Sequence, residues 1–284
     1  MNSSRSALRA AMSEGLVVAP FVYDGFTALI AAGQGARAVY MTGHGTSAQI
    51  GLPDVGLASM AEMVANLGYI ANAVDIPVIA DADTGYGNAI NVQRTVREYE
   101  SVGAAAMHIE DQVFPKRCGF FEGKECIPMG EHVQKIRAAL DARDDPDMVM
   151  IARTDAVAPN GWDDAIRRAE TYRAAGADIV FVDGIKTLDE LDIYTRRLVE
   201  QGIPCLYNGQ LSPVSEIAER GFKIMITGGG HALSYAAVRQ ALIALKKGDG
   251  IGEPRDNERF NATTSLLGLG EIYKLEERYA VESA

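Results

Sequence analysis

The sequence predicts an α/β protein: a (β/α)8 TIM barrel followed by an additional helical segment at the C-terminal end. Short apolar runs recur along the chain, and several directly follow a glycine of the kind that ends a helix. This pattern is typical of parallel strands that are buried on both faces. Roughly eight such runs alternate with helical patterns, and eight strands are the number that closes this barrel.

The predicted strands appear in regular order along the chain. They cover residues 16–20, 36–41, 76–80, 104–109, 148–152, 177–182, 203–207 and 222–226. The predicted helices cover residues 3–14, 60–73, 90–102, 131–142, 163–175, 188–201, 214–220 and 234–247. Apolar positions recur at intervals of three and four in the helices, so one face packs on the sheet. An open doubly wound sheet is the alternative, but no strand precedes the Gly-x-Gly-x-x-Gly turn of a dinucleotide site.

The end of the chain departs from this alternation. A glycine-rich connector at residues 248–254 precedes two further helical stretches within residues 257–281, which a closed barrel does not require. We therefore predict a barrel domain at residues 1–255 and a C-terminal helical extension at residues 256–284. The extension is too apolar for a free terminus, so we expect it to pack on a neighbouring subunit.

Composition narrows the class of protein. The 284 residues include 38 acidic and 27 basic ones, a net charge of −11, which argues against nucleic acid or an anionic membrane as a partner. No apolar run reaches transmembrane length and the first residues lack a signal peptide, so we expect a cytoplasmic protein. The three cysteines lack the spacing of a disulfide framework or a zinc site.

Polar residues follow the predicted strands, at the end where TIM barrels carry their active sites. In chain order these candidates are Tyr40, Thr42, Gly43, His44, Asp81, Asp83, Glu110, Arg153, Asp183 and Asn208. With Asp54 from a preceding loop, Asp81, Asp83 and Glu110 form an all-oxygen set suited to Mg²⁺, with Mn²⁺ as an alternative. Taken alone, the Asp-x-Asp-x-Gly stretch also fits a helix cap or turn.

The loop after the fourth strand carries a cysteine directly after two cationic residues. Lys116 and Arg117 precede Cys118, and two cations beside a thiol favour the thiolate form. Arg153 suits a substrate carboxylate, although a structural ion pair fits it equally well. Asn208 and the backbone amides of residues 42–45 can hold a second carboxylate.

The remaining histidines are expected to be structural or exposed. His108 lies within an apolar run and His231 follows three glycines, so both fit structural roles. His132 lies on a predicted helix and is expected to be exposed.

Several of these stretches occur together, and in order, in one known superfamily. They are the Tyr40-Met-Thr-Gly stretch, Gly51-Leu-Pro-Asp54, Asp81-Ala-Asp83-Thr-Gly-Tyr-Gly-Asn88, His108-Ile-Glu-Asp111, Lys116-Arg-Cys-Gly119 and Ile151-Ala-Arg-Thr-Asp155. On them the chain resembles the isocitrate lyase/phosphoenolpyruvate mutase superfamily from Val18 to the tail. The Lys-Arg-Cys-Gly sequence resembles the carbon–carbon lyase branch, which cleaves methylisocitrate, dimethylmalate and related acids.

The resemblance implies a mechanism and an assembly. Mg²⁺ would be bound mainly by Asp83, with Asp81, Asp54 and Glu110 acting largely through water. A malate-like 2-hydroxy acid would undergo retro-Claisen cleavage to an α-keto acid, while Cys118 protonates the departing enolate. The other predicted catalytic residues are Tyr40, Lys116, Arg153 and Glu110; the predicted substrate-binding residues are Thr42, Gly43, His44, Gly119, Phe120, Arg153, Asp183 and Asn208. Members commonly form homotetramers that exchange a C-terminal helix.

Three departures from the lyase pattern leave the substrate open. Phe120 follows Gly119 where these lyases usually have histidine, Thr42-Gly-His44 replaces Ser-Gly-Gly, and Val182-Asp183-Gly184 replaces Pro-Glu-Ala. The alternatives are an oxaloacetate-type hydrolase or decarboxylase, or a phosphonomutase-like enzyme, of the same superfamily. A non-catalytic metabolite-binding barrel is a third hypothesis, and retention of Cys118 with all the acidic residues argues against it.

Overall fold

A computed structural model of the chain describes residues 2–119, 123–228, 230–248 and 257–280. Eight parallel strands close into a barrel, each pairing with the next and the eighth with the first, as predicted. The strands are β1 Val17–Val22, β2 Val39–Met41, β3 Val78–Asp81, β4 Ala106–Glu110, β5 Val149–Thr154, β6 Ile179–Val182, β7 Cys205–Asn208 and β8 Ile224–Thr227. Each lies within or beside a predicted apolar run, because parallel strands covered on both faces need apolar residues throughout.

Helices follow the strands around the barrel. Those up to β8 are α1 Asn2–Glu14, α2 Gly25–Gly33, α3 Gly43–Gln49, α4 Met60–Ala73, α5 Ala89–Ser101, α6 Met129–Ala142, α7 Val157–Asn160, α8 Trp162–Ala174, α9 Leu188–Tyr194 and α10 Val214–Glu219. A π-helical turn, Thr195–Val199, continues α9. The prediction missed α2, α3 and α7. The α2 sequence is apolar on nearly all sides, and α3 and α7 are too short to show a periodic stripe.

Apolar side chains fill the barrel, and α1 adds to this filling. Leu8 and Ala11 of α1 belong to the same buried cluster as strand residues such as Ile79, Ile151 and Leu206. Buried Arg5 donates to the Ala104 carbonyl oxygen at 3.0 Å, just before β4 begins. The N-terminal end of the barrel is therefore occupied by α1, which leaves the opposite end for polar residues.

The chain divides into two compact units, Met1–Gly230 and His231–Ala284. The second unit contains nearly all of α11 Gly230–Lys246, together with α12 Asn257–Leu266 and α13 Leu269–Arg278. No described residue of these three helices is buried, and large apolar side chains including Leu233, Phe260 and Tyr273 are exposed. The predicted division at residue 255 and the subunit exchange stay predictions. Among the described residues, no helix combines the length and apolar character needed to cross a bilayer.

Candidate active site

Polar side chains from successive strands meet at the carboxyl end of the barrel. Asp81 and Glu110 are the last residues of β3 and β4, and Arg153 lies near the end of β5. The parallel register pairs Asp81 with His108 and Glu110 with Arg153 across adjacent strands. These groups sit at the end of the barrel where TIM-barrel enzymes carry out their chemistry.

Four carboxylates form a buried cluster at this end, which we call the acidic cluster: Asp54, Asp81, Asp83 and Glu110. None of them is more than 5% exposed. Asp83 lies beyond β3 with a φ of 46°, in the left-handed region, and its amide donates to Asp81 Oδ1 at 3.0 Å. The two aspartates therefore converge through a turn rather than through the alternation of a strand.

Lys116 provides the ammonium group of this cluster. Its Nζ donates to Asp54 Oδ1 and lies 2.8 Å from Asp83 Oδ1. The lysine thus contacts the carboxylates. Glu110 Oε1 is buried and accepts no hydrogen bond from any residue that the structure describes.

The acidic cluster contains four carboxylates and one ammonium group, and the pKa values of its members reflect this excess of acidic groups. Burial, reinforced by the charge of Asp81, raises the pKa of Asp83 to about 6 despite the Lys116 ammonium. Burial also raises the pKa of Glu110 well above its usual range. The pKa of Asp81 is lowered: burial opposes ionisation, but His108, Lys116 and Arg153 together outweigh it. A carboxylate set that resists full ionisation, with one oxygen unpaired, fits a hard divalent cation such as Mg²⁺.

A second set of candidate metal ligands overlaps this cluster. Among the described residues, ligand atoms of His44, Asp54 and Cys118 lie within 4.8 Å of one another. Nitrogen, oxygen and sulfur together suit a softer ion than Mg²⁺. Asp54 belongs to both sets, and its Oδ1 atom accepts from Lys116.

Tyr40 forms a hydrogen-bonded pair with a histidine inside the barrel. Its hydroxyl lies 2.7 Å from His108 Nε2 and 3.3 Å from Asp81 Oδ2, so its single proton has two acceptors within reach when Nε2 is unprotonated. Burial lowers the pKa of His108 to about 4 and raises the pKa of Tyr40 well above its usual range. Both groups are therefore neutral near pH 7, and the imidazole is a ready partner for the phenol.

Arg153 is surrounded by carboxylates. Its guanidinium donates to Asp155 through two nitrogens, at 2.9 and 3.0 Å, and to Asp183 Oδ2 at 2.7 Å. Its Nε also lies 3.3 Å from Glu110 Oε2. Asn208 Nδ2 donates to Asp183 Oδ1 at 3.1 Å, so Asp183 links the two predicted carboxylate-binding residues.

Gly119 is closely packed against this group. A Cβ at Gly119 would lie 2.0 Å from Asp183 Oδ2, so no larger residue fits without movement. The Gly119 carbonyl oxygen accepts from Lys124 Nζ at 2.7 Å, and Nζ also lies 3.2 Å from Asp155 Oδ1. Lys124 therefore ties the cysteine loop to the end of β5. Phe120, the next predicted residue, lies outside the described residues.

Cys118 reaches the same end of the barrel from the loop after β4. It is 7% exposed, its amide donates to the Asp54 carbonyl oxygen at 3.1 Å, and its Sγ lies 3.6 Å from His44 Nδ1. The thiol is thus next to the acidic cluster, although Lys116, predicted to favour the thiolate, contacts the carboxylates of that cluster.

The glycine-rich turn after β2 is largely engaged within the protein. The Gly43 amide donates to Asp81 Oδ2 at 3.1 Å, and the Gly45 amide donates to Thr42 Oγ1 at 3.3 Å. The Thr42 amide donates to the Val22 carbonyl oxygen. Three of the four amides that could hold a substrate carboxylate therefore already have acceptors.

The sequence interpretation was wrong about one histidine and missed other residues. His132 was expected to be exposed, but it is fully buried against Tyr172, with ring centroids 4.5 Å apart. Lys124 resembles any loop lysine in the sequence and gave no signal. Asp155 and His108 lie in two of the superfamily motifs, but only the structure shows that Asp155 contacts Arg153 and that His108 contacts Tyr40.

This fold and site define a class: a TIM-barrel enzyme with a buried carboxylate cluster suited to a metal ion and a thiol beside it. Comparison with known proteins makes the class specific. Residues 8–246 match the family model described as phosphoenolpyruvate phosphomutase. The chain is 40% identical to the 2,3-dimethylmalate lyase of Eubacterium barkeri over 99% of both proteins.

Two further comparisons point to the same superfamily. The chain is 42% identical to the 2-methylisocitrate lyase of Aeropyrum pernix, over 74% of this chain and 69% of that protein. A solved structure of oxaloacetate acetylhydrolase with 3,3-difluorooxalacetate superposes with a TM-score of 0.91 at 34% identity, covering 100% of this chain and 99% of that one. The chain belongs to the phosphoenolpyruvate mutase/isocitrate lyase superfamily, as its motifs predicted.

Proposed function

We propose that this protein is a Mg²⁺-dependent carbon–carbon lyase. It cleaves a malate-like 2-hydroxy acid, of the 2,3-dimethylmalate or 2-methylisocitrate type, to an α-keto acid and a carboxylic acid. One observation carries the proposal: the buried Cys118 thiol lies next to the acidic cluster and on the same end of the barrel as Arg153. The similarity to a dimethylmalate lyase along 99% of both chains supports it.

The acidic cluster would hold the divalent ion through Asp83, with Asp81, Asp54 and Glu110 nearby. When bound, the ion supplies stabilisation of the negative charge that develops on the keto-acid oxygens. Binding would also favour the ionised forms of Asp83 and Glu110, whose pKa values are raised in its absence. Mn²⁺ satisfies the same oxygen ligands.

Arg153 would bind the carboxylate of the keto-acid half of the substrate. Its contacts with Asp155 and Asp183 orient the guanidinium at the barrel mouth. Asn208 is positioned by the same Asp183. The Nη1 hydrogens of this guanidinium would bind the substrate carboxylate in one orientation, which aligns the bond to be broken.

Proton transfer at the two halves of the substrate would use different residues. At the keto-acid half, Tyr40 accepts the hydroxyl proton as its own proton moves toward His108, 2.7 Å away. The carbon–carbon bond then breaks and its electrons pass to the leaving acid as an enolate. Cys118 transfers its Sγ proton to that enolate carbon, which completes the carboxylic acid.

The main alternative is hydrolysis or decarboxylation of an oxaloacetate-like acid, and the products distinguish the reactions. Cleavage of 2,3-dimethylmalate at the proposed bond gives pyruvate and propionate, and cleavage of 2-methylisocitrate gives pyruvate and succinate. Proton NMR of reactions with each acid, and with oxaloacetate, should show paired products from a 2-hydroxy acid. Turnover of oxaloacetate alone would favour the alternative, and turnover of none would favour a binding protein.

The preferred leaving acid follows from the sequence at position 120. An apolar Phe120 in place of histidine disfavours a second carboxylate, because an unpaired buried charge is costly. We therefore expect a higher kcat/KM for dimethylmalate than for methylisocitrate. Phe120→His should reduce or reverse the preference for dimethylmalate. An unchanged ratio of the two kcat/KM values would show that Phe120 does not contact the substrate.

The proposed enzyme is a cytoplasmic homotetramer. The exposed apolar side chains of α11, α12 and α13 support packing of this segment on another subunit. Light scattering should report four chains, and deletion of residues 256–284 should reduce that number. A monomeric full-length protein would contradict the assembly.

A further inference from the structure

The glycines on either side of His44 allow its backbone to pass close to neighbouring side chains. A Cβ at Gly43 would lie 2.5 Å from Asp81 Oδ2, and a Cβ at Gly45 would lie 2.7 Å from the Tyr23 Cβ. Backbone can pass this closely only where side chains are absent. The two glycines therefore allow the His44 backbone to lie close to the acidic cluster, and the hydrogen bond from the Gly43 amide to Asp81 Oδ2, 3.1 Å long, holds it there.

The imidazole reaches Cys118. The distance of 3.6 Å from His44 Nδ1 to Sγ is within the range of a hydrogen bond to sulfur. The residues are 74 positions apart and come from different segments: His44 lies in the first turn of α3, after β2, and Cys118 lies in the loop after β4. At the cysteine, the bond from the Cys118 amide to the Asp54 carbonyl oxygen fixes the backbone. Both ends of the contact are thus anchored independently.

We infer that His44 is the residue that positions the Cys118 thiol for proton delivery, rather than a substrate-binding residue. The inference rests on the proposed lyase function. A cysteine side chain rotates freely about one bond, and only one rotamer aims its proton at the leaving carbon. The bond to Nδ1 selects a rotamer before substrate arrives, as preorganised groups do in efficient sites.

The same contact stabilises the group that remains after proton transfer. The S–H bond breaks, a C–H bond forms on the enolate carbon, and negative charge stays on Sγ. The Nδ1–H tautomer of His44 donates to that sulfur, and a hydrogen bond to an ionised acceptor is about twice as strong as a neutral one. The hydroxyl proton released earlier in the reaction restores the thiol, so no further reactant is needed.

Side-chain length provides the test. Asparagine places its amide nitrogen near the Nδ1 position, whereas glutamine reaches toward the Nε2 position. His44→Asn should retain most of kcat. His44→Gln and His44→Ala should lower kcat about 100-fold with KM changed less than about threefold, because a misplacement of about 1 Å has effects of this size. Equal kcat in all three variants, or a change in KM alone, would overturn the inference.

A spectroscopic measurement separates this inference from the lyase proposal. The S–H stretching band of Cys118, assigned in the full-length protein by its loss in Cys118→Ala, needs no turnover. His44→Ala should shift that band, while the bands of Cys126 and Cys205 stay fixed; absence of a Cys118 S–H band in the wild-type protein would overturn the inference. A Cys118 band that is the same in wild type and His44→Ala would reject the contact even if the enzyme is a lyase. A shifted band in a protein without lyase activity would reject the proposed function instead.

Discussion

Glu110 and Asp111 are adjacent in the chain, yet they belong to buried carboxylate groups of opposite character. Glu110 faces the acidic cluster, where its Oε1 has no hydrogen-bond partner among the residues described. Asp111 Oδ2 accepts from Thr154 at 2.8 Å, Arg168 at 3.0 Å and Tyr172 at 2.8 Å. Successive residues of an extended segment point to opposite faces, so neighbours can serve different regions.

The difference separates function from stability. We call Asp111 and the residues packed around it, Thr154, Arg168, Tyr172 and His132, the Asp111 region. Its carboxylate has a cationic partner and hydrogen-bond donors, and a buried polar group satisfied in this way contributes to the stability of the fold. In the acidic cluster, the Lys116 ammonium contacts only Asp54 and Asp83 of the four carboxylates, and burial with the neighbouring charges raises the pKa of Asp83 to about 6. An imbalance retained in a buried site points to a missing positive partner. We therefore expect changes in the acidic cluster to lower activity and changes around Asp111 to lower stability.

Removal of the divalent ion should have the largest effect. Exhaustive treatment with a chelator should abolish cleavage, and added Mg²⁺ should restore it. Asp83→Asn should lower kcat by about 10³-fold or more, because metal stabilisation contributes several kcal/mol. Urea unfolding of that variant without metal should show equal or greater stability, since one of the crowded charges is gone. Full activity after chelation would contradict the acidic cluster's assignment.

Cys118→Ser should have the next largest effect on activity. A hydroxyl is a far poorer proton donor than a thiol, so kcat should fall about 10²- to 10⁴-fold. Binding of Mg²⁺ and of a keto-acid product such as pyruvate should persist, as calorimetry can show. Cys205→Ser is the matched control, because Cys205 is buried in the core at the start of β7. A wild-type kcat in Cys118→Ser would show that the thiol is not the proton donor.

Asp111→Ala should change stability. It leaves the Arg168 guanidinium without one of its buried partners, and breaking a buried pair costs about 3–5 kcal/mol. Urea unfolding should show this loss, while Mg²⁺ binding to the folded fraction is retained. The exposed Asp141 is the control: Asp141→Ala should stay within about 0.5 kcal/mol of wild type. Equal free energies of unfolding for Asp111→Ala and Asp141→Ala would show that Asp111 does not stabilise the fold.

His132 predicts a smaller, pH-dependent effect in the Asp111 region. Burial lowers its pKa to about 4 from an ordinary value of 6.5, so folding favours the neutral imidazole. This contribution is present above pH 6.5 and is lost as the pH falls from 6.5 toward 4, by about 3 kcal/mol. His132→Leu should flatten that part of the stability curve measured by urea unfolding. If the free energy of unfolding of His132→Leu changed with pH between 7 and 4 as steeply as that of wild type, His132 would not be the titrating group.

The fold was predictable because it depends on local patterns. Apolar runs after glycines such as Gly103 and Gly176 mark strands wherever they pair. The acids of the candidate site were predictable for a related reason, since residues after a buried strand must lie at one end of the barrel.

The contacts between these residues depend on the closed fold. The Tyr40–His108 pair spans 68 residues and the Cys118–His44 pair spans 74, and neither separation leaves a periodic signal. His132 was misjudged because a helix pattern shows that one face is buried but not how deeply each neighbour lies. Lys124 was missed because only the folded loop brings it to Asp155.

We expect the acidic cluster, and not the Asp111 region, to bind a divalent cation. Titration with Mn²⁺ followed by electron paramagnetic resonance measures binding without requiring any substrate. Wild type and folded Asp111→Asn should each bind one Mn²⁺ per chain at this site, and Asp83→Asn should lose that binding. Undiminished binding by Asp83→Asn, or loss of binding in folded Asp111→Asn alone, would show that the acidic cluster is not the cation site.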